Sequence, residues 1–331
     1  VIVVEYHHLA SGGLAVREFT INQNDAGQRL DKFITKAVPK LPSSLLYKYI
    51  RIKRIKVNGK RAEEMQKLVK GDSVQLYVND EFFEQSESPL DFMNTTDDVR
   101  VVYEDENILI ADKPAGLLCH SDESESRHTL INKILLYLNH KKEYIPENEN
   151  SFTPALCNRI DRNTSGLVIA AKNADTLRIM SEKIKEREVK KYYKCAVFGK
   201  FNALSGELRS YLTKDGDNNL VSVSIQQTPG AVSAVSKYKV LKTTGELSLL
   251  EVELVTGRTH QIRAQFADAG HPLLGDTKYG NAARSKPYGY SWQALYAYKI
   301  KFDFTKDSGV LQYLNQKTIE LPPSEFERLF F

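Results

Sequence analysis

The chain has 331 residues, 41% hydrophobic and 27% charged, with a formal net charge of +4. That length exceeds one small core and fits two domains, or one large domain with an appended module. No apolar run approaches a membrane span. Cys119, Cys157 and Cys195 are widely spaced and form no CxxC, which argues against a disulfide framework or a zinc site and for a reducing cytoplasm.

Residues 1–16, "VIVVEYHHLASGGLAV", have no leading Met, no basic n-region and too short an apolar core for a signal peptide. They read as a tag, an upstream translated stretch or a loose disordered arm. From Arg17, "REFTI" alternates like a short strand. "RLDKFITKAV" places Leu30, Phe33, Ile34 and Ala37 at helical spacing. "PKLP" breaks the chain, and Ser43 is the expected cap of a second helix, "SLLYKYIRI". There Leu46 and Ile50 share one face, with Lys48 and Arg51 on the polar side. Asn58-Gly59 signals a turn between short strands, and "GDSVQLYV" closes a small α/β module over 17–78.

Residues 26–75 hold 13 Lys/Arg and 4 Asp/Glu, so this module is strongly basic and the remainder of the chain is net acidic. Arg29, Lys48, Arg51, Arg54, Lys56, Lys60 and Arg61 are the candidate contacts for a polyanion. The residues of helix 2 and the following turn are expected to share one face. Such a face binds phosphate backbones by charge neutralisation and counterion release. Residues 79–99 hold seven acids and no base and read as an acidic linker.

The larger domain is expected over 100–331. "VRVVYEDENILIADKP" gives two strands around an acidic turn, and 127–140 a helix. "VIAAKN" is a strand, after which Asn173 is placed to cap a helix reaching about Glu186, with Leu177, Met180 and Ile184 inward. "KKYYKCAVFGK" is a strand, and 204–255 reads as several strands with Gly and Asn turns. Thr259 is the expected cap of a short helix in "TGRTHQIRAQFADAG". "HPLLGDTKYG" is a turn-rich loop, and "ALYAYKIKFDF" and "KTIELP" are late strands. Many strands and few helices without regular alternation predict an α+β fold.

There is no P-loop, dinucleotide Gly fingerprint, HExxH or GxSxG elbow, so the expectation is chemistry without a metal or a cofactor. In "CNRIDRNTSGL", residues 157–167, Asp161 stands between Arg159 and Arg162. Read alone, it opens an Asx-type turn with solvated arginines. A carboxylate can also act as nucleophile or acid–base group without a cofactor. A second constellation, "TGRTHQIR", gathers Arg258, His260, Gln261 and Arg263, with Ile262 and Phe266 at i and i+4.

Four pieces in order, "EDENILIADKPAGLLCH" at 104–120, "NRIDRNTSGLVIAAKN" at 158–173, "VKKYYKCAVFGK" at 189–200 and "LVTGRTHQIRAQFADAGHPLLGDTKYG" at 254–280, resemble the RluA-type pseudouridine synthases. "AGQRLDKFI", "SSLLYKYIR" and "IKVNGKR" resemble the αL-motif RNA-binding module first known from a small-subunit ribosomal protein. Together these resemblances span about 17 to 325. They imply a large, mostly antiparallel mixed sheet and conversion of uridine to pseudouridine in RNA, with no cofactor, no metal and a flipped nucleotide. Large-subunit ribosomal RNA is the expected substrate and partner, with no membrane and no obligatory protein partner. Transfer RNA, a dual substrate or a catalytically silent ribosome-assembly factor are the alternatives. By resemblance Asp161 is the catalytic residue, Arg263 its paired arginine and Ile262 an apolar pocket wall. Tyr193 packs on the base and is proposed to take the carbon 5 proton. Arg159 holds the displaced RNA. Asn158 stands where the family commonly has His.

Overall fold

The computed structural model describes residues 16–83, 91–215 and 220–331. Residues 1–15 of the expected arm, 84–90 of the expected linker and the Asn-bearing turn at 216–219 lie outside the described residues. The chain divides into two compact units. The first runs to Asp97 and takes in 132–155 and 172–175, and the second holds 98–131, 156–171 and 176–331. A single cut at 79–99 would assign 132–155 to the larger domain. Side-chain bonds tie that segment to the first unit instead. Asp25 accepts from Asn150 Nδ2 at 2.6 Å and from Ser151 Oγ at 2.6 Å, and Glu149 accepts from Asn24 at 2.7 Å.

The first unit contains β1 (Val16–Thr20), α1 (Leu30–Ala37), α2 (Ser43–Arg51), β2 (Ile55–Val57), β3 (Lys60–Arg61) and β4 (Ser73–Tyr77), with sheet order β1-β4-β2-β3. Leu30, Phe33 and Ile34 from α1, Leu46 and Ile50 from α2, and Ile55, Val57, Val74 and Leu76 from the sheet form one core. The β2–β3 turn uses Asn58 and Gly59, both with positive φ, at 52° and 71°, the backbone of the tightest hairpins. Ser43 is not the cap of α2. Pro42 holds that position at φ −60°, so Ser43 is the first helical residue and makes no capping bond.

The basic residues divide between two surfaces. In β2 the buried Ile55 and Val57 flank Lys56, so Lys56 points to the sheet face opposite the core. Arg61 is its cross-strand partner. Lys48 and Arg51 project from the outward side of α2. Strand alternation therefore separates groups that the sequence reading joins on one face. Arg54 lies over the Tyr49 ring at 5.6 Å, Lys56 over Tyr77 at 4.9 Å, and Arg29 is bound to Asp31 through two hydrogen bonds.

The remaining elements are β5 (Val101–Glu104), β6 (Ile108–Lys113), α3 (Leu130–His140), β7 (Ala155–Leu156), β8 (Ser165–Ala171), α4 (Ala174–Lys185), β9 (Val189–Phe198), β10 (Ser205–Asp215), β11 (Leu220–Ser224), β12 (Val232–Thr244), β13 (Leu247–Leu254), α5 (Gln261–Asp268), α6 (Ala282–Ser285), β14 (Leu295–Phe302) and β15 (Thr318–Glu320). The large sheet runs β11-β10-β12-β13-β9-β14-β8-β6-β5, with β15 on β14. Neighbours are antiparallel along this path except β14 and β8, which are parallel. The fold is α+β with a mixed, mostly antiparallel sheet. Strands β6 and β8 are buried almost end to end, and Met180 of α4 sits in a core with Ile110, Ile169, Val189 and Phe302. Leu177 and Ile184 of α4 are only half-buried. Among the described residues no helix is long and apolar enough to cross a membrane.

Candidate active site

Asp161 stands on the loop between β7 and β8. The end of β6 and the segment after it hold that loop. Lys113, fully buried, donates its three ammonium protons to the carbonyls of Pro114 at 2.9 Å, Leu117 at 2.7 Å and Arg162 at 2.8 Å. The Gly116 amide donates to the same Arg162 carbonyl at 2.9 Å. The Cys119 thiol donates to the Ile160 carbonyl at 3.4 Å. Burial lowers the Lys113 pKa to about 8, and three carbonyls around one amine hold it as the ammonium at neutral pH. Gly166 ends the loop. Its φ is +118°, and an added Cβ would meet the Ala297 carbonyl oxygen at 2.2 Å, so the loop can enter β8 beside β14 only with glycine there.

Opposite stands α5. Thr259 is not its cap. His260 occupies that position in the left-handed region, at φ 51° and ψ 20°, with no side-chain cap. The Gln261 side chain instead accepts from the Arg258 amide at 3.2 Å and from Thr256 Oγ1 at 2.8 Å. Gln261 to Phe266 are all buried, Phe266 fully, with Ile262 on the cavity wall. Arg263 is aimed at Asp161, and its Nη1 donates to Oδ2 at 2.9 Å.

The same guanidinium forms a second, two-pronged bond that no sequence motif indicated. Nε and Nη2 donate to the two oxygens of Asp276 at 2.7 and 3.0 Å. Asp276 is fully buried. Burial works to raise its pKa, but the Arg263 bonds and charge, with the Lys278 and Tyr279 amides, outweigh that and lower it. One arginine thus joins two carboxylates, one buried and one 26% exposed at the side chain. The fork geometry fixes where the guanidinium points. Tyr279 lies under it, ring centroid 5.3 Å from the guanidinium carbon, and its hydroxyl meets His260 Nδ1 at 2.9 Å. His260 Nε2 lies 4.0 Å from Asp161 Oδ2. Burial, more than any neighbouring charge, lowers the His260 pKa.

Asp161, His260 and Arg263 border a cavity of about 560 Å³ that also takes in Tyr193, Ile262, Arg159 and Asn158. Tyr193 is buried on β9, while Tyr192 packs against the core on the other face, as alternation requires. Burial, then the charge of Asp161, raises the Tyr193 pKa. Arg159 is exposed at the rim. Asn158 Oδ1 accepts from the Ile169 amide at 2.8 Å, and its buried Nδ2 has no hydrogen-bond partner. The structure therefore brings together Asp161, Arg263, Tyr193, Ile262 and Arg159, drawn from three separate stretches of sequence. The other seven sequence-selected residues, Arg29, Lys48, Arg51, Arg54, Lys56, Lys60 and Arg61, belong to the first unit. Asp276, Lys113 and Tyr279 escaped sequence reasoning, and the only local signal was the Gly-Asp step inside a turn-rich loop. Among the described residues, no three His, Cys, Asp or Glu side chains converge as a metal site.

The sequence model of RNA pseudouridylate synthase matches residues 107–268, a span holding Asp161, Tyr193 and Arg263. An uncharacterized RNA pseudouridine synthase of Mycoplasma genitalium is 32% identical over 289 residues, 86% of this chain and 88% of the relative. The ribosomal large subunit pseudouridine synthase D of Borreliella burgdorferi is 31% identical over 88% of this chain and 86% of its own length. Human RNA pseudouridylate synthase domain containing 4 shares the fold at a TM-score of 0.53 with 19% identity, over 68% of this chain and 89% of that one. The chain belongs to the RluA-type RNA pseudouridine synthase family.

Proposed function

We propose that the protein converts uridines of large-subunit ribosomal RNA to pseudouridine, with Asp161 as the acting carboxylate. The observation that carries this reading is the 2.9 Å bond from Arg263 to Asp161, made across 102 residues of sequence at the cavity wall. The Borreliella relative, named for the ribosomal large subunit, supports the choice of RNA. The basic surfaces of the first unit supply a grip for a phosphate backbone. A retained Asp161, Arg263 and Tyr193 set speaks against a catalytically silent assembly factor.

The reaction breaks the bond from uracil N1 to the sugar and forms one from carbon 5. Carbon 5 loses a proton and N1 gains one, so the product is an isomer. A paired base exposes neither centre, so the nucleotide must flip out, at a cost of roughly a few kcal/mol. The cavity lies in the ~300–1,000 Å³ range of small-molecule sites. Arg263 holds the Asp161 charge in place, and Ile262 and Tyr193 offer apolar and aromatic surface to the base. Tyr193 is held protonated by burial and by Asp161, so it is not a standing phenolate base. Any proton it takes from carbon 5 must be matched by one it gives up, which makes packing on the ring its main role.

The test is Asp161→Asn. Pseudouridine formation on large-subunit RNA from cells lacking the gene should vanish while RNA binding persists. An active Asn variant would overturn the assignment, and pseudouridine mapping in the same cells would name the modified positions.

A further inference from the structure

The cavity lining holds further cations that this chemistry does not use. Lys185 closes α4, Arg187 lies in the turn to β9, and Lys191 projects from β9, and all three line the cavity. Lys191 is two residues before Tyr193, so both look from the same face of the strand. The lysines of β9 differ in their partners. Lys190 is paired with Asp303, and Lys194 with Glu327 at 2.8 Å. Lys191 lines the cavity, is half-buried and pairs with no acid among the described residues. Arg187 is held at φ 65°, a left-handed backbone unusual for arginine, and it too has no acidic partner among the described residues. Of the side chains lining the cavity, Asp161 alone is a carboxylate, and Arg263 occupies it.

We propose that Lys191, with Lys185 and Arg187, forms a phosphate subsite that grips an RNA backbone phosphodiester next to the target nucleotide. This rests on the RNA-modifying reading of the cavity. A half-buried ammonium without an internal counterion is costly. Its desolvation lowers its pKa, and an anion brought by a ligand would offset that cost. Three cations and the Asp161–Arg263 pair lining one cavity match a flipped nucleotide, with the base at the acid and the backbone at the cations. The contact needs no base recognition and contributes charge-assisted hydrogen bonds.

The test uses the full chain with Lys191→Met, Lys191→Arg and Arg187→Gln. The binding probe is a fluorescein-labelled 12-nucleotide oligouridylate, titrated over a range of salt. The rate assay is tritium release from a large-subunit RNA transcript labelled at uridine carbon 5. Lys191→Met should weaken oligouridylate binding about tenfold and reduce the salt slope by about one phosphate contact. Lys191→Arg should restore both. Arg187→Gln, at an exposed position where misfolding is no concern, should give a smaller loss in the same direction. Replacing single phosphates by neutral methylphosphonates should reveal one position whose loss matches Lys191→Met and does not add to it. Unchanged binding and salt slope in Lys191→Met and Arg187→Gln, with wild type active on the transcript, overturns the subsite. If wild type releases no tritium but the oligouridylate losses appear, the subsite stands and the reading of the reaction fails.

Discussion

Two sets of charges in and behind the cavity wall are built on opposite plans. In the set around Asp161 the principal charges have internal partners. Arg263 bridges Asp161 and Asp276, Lys113 caps three carbonyls, and His260 meets Tyr279. In the other set, Lys185, Arg187 and Lys191 have no acidic partner among the described residues. Paired charges in a low-dielectric setting fix distances before any ligand arrives, and catalytic groups need that preorganisation. Unpaired charges leave electrostatic energy to be released on binding. The difference fits the proposal of chemistry at the paired charges and capture at the unpaired ones.

The sharpest way to break that contrast is at Asp276. Asp276→Ala leaves the buried Arg263 with only one carboxylate, and removing one partner of a buried pair costs ~3–5 kcal/mol. Urea unfolding should show a loss of that size, with at least a tenfold fall in single-turnover rate as Arg263 loses its direction. A variant as stable and fast as wild type would show that Asp276 does not orient the arginine.

Lys113→Met should come next. It removes a donor from three carbonyls at roughly 1–3 kcal/mol for each one left unsatisfied, although Arg162 keeps the Gly116 amide. The expected result is a lower unfolding midpoint with kcat reduced and KM nearly unchanged. If KM rises instead, the lysine serves the RNA and not the loop.

The smallest effect concerns acid. His260 has a lowered folded pKa, so the unfolded chain takes its proton first as pH falls below 6.5. Its contribution to stability is lost through that window. Asp276 follows lower, since its depressed pKa gives stability present above 3.8 and lost as pH falls through the folded value. A protonated His260 would also compete with Arg263 for Asp161. The kcat/KM profile between pH 4.5 and 7.5 should fall on its acid side, and His260→Gln should flatten that limb. An unchanged limb would remove His260 from the account.

Much of this was legible in the sequence, unevenly. Helix and strand placement followed from periodicity, because burial of Leu30, Phe33 and Ile34 is what their spacing encodes. Helix starts were less legible. Pro42 and His260 displaced Ser43 and Thr259 because preset or left-handed backbone, and not a side-chain oxygen, begins those helices. Asp161, Tyr193 and Arg263 became readable only as an ordered set, since a lone Asp between arginines is an ordinary turn residue. Asp276 and Lys113 stayed hidden for a physical reason. Nothing local marks a charged side chain for complete burial, because its partners lie 13 and 49 residues away, at Arg263 and at the Arg162 carbonyl.

One short segment sets the spacing of all this. Residues 292–297 run between the loop of Asp161 and the loop of Asp276. Gln293 donates to Thr164 at 3.2 Å, and the Ala294 amide donates to the Leu274 carbonyl at 2.8 Å. Each acid loop touches the segment through a glycine. An added Cβ on Gly166 would meet the Ala297 oxygen at 2.2 Å, and one on Gly275 the Trp292 oxygen at 2.1 Å. The segment works as a feeler gauge inserted between two jaws. Its backbone thickness fixes how far apart two carboxylates can stand and still share one arginine. A single methyl on either glycine would open the jaws without touching any group that reacts.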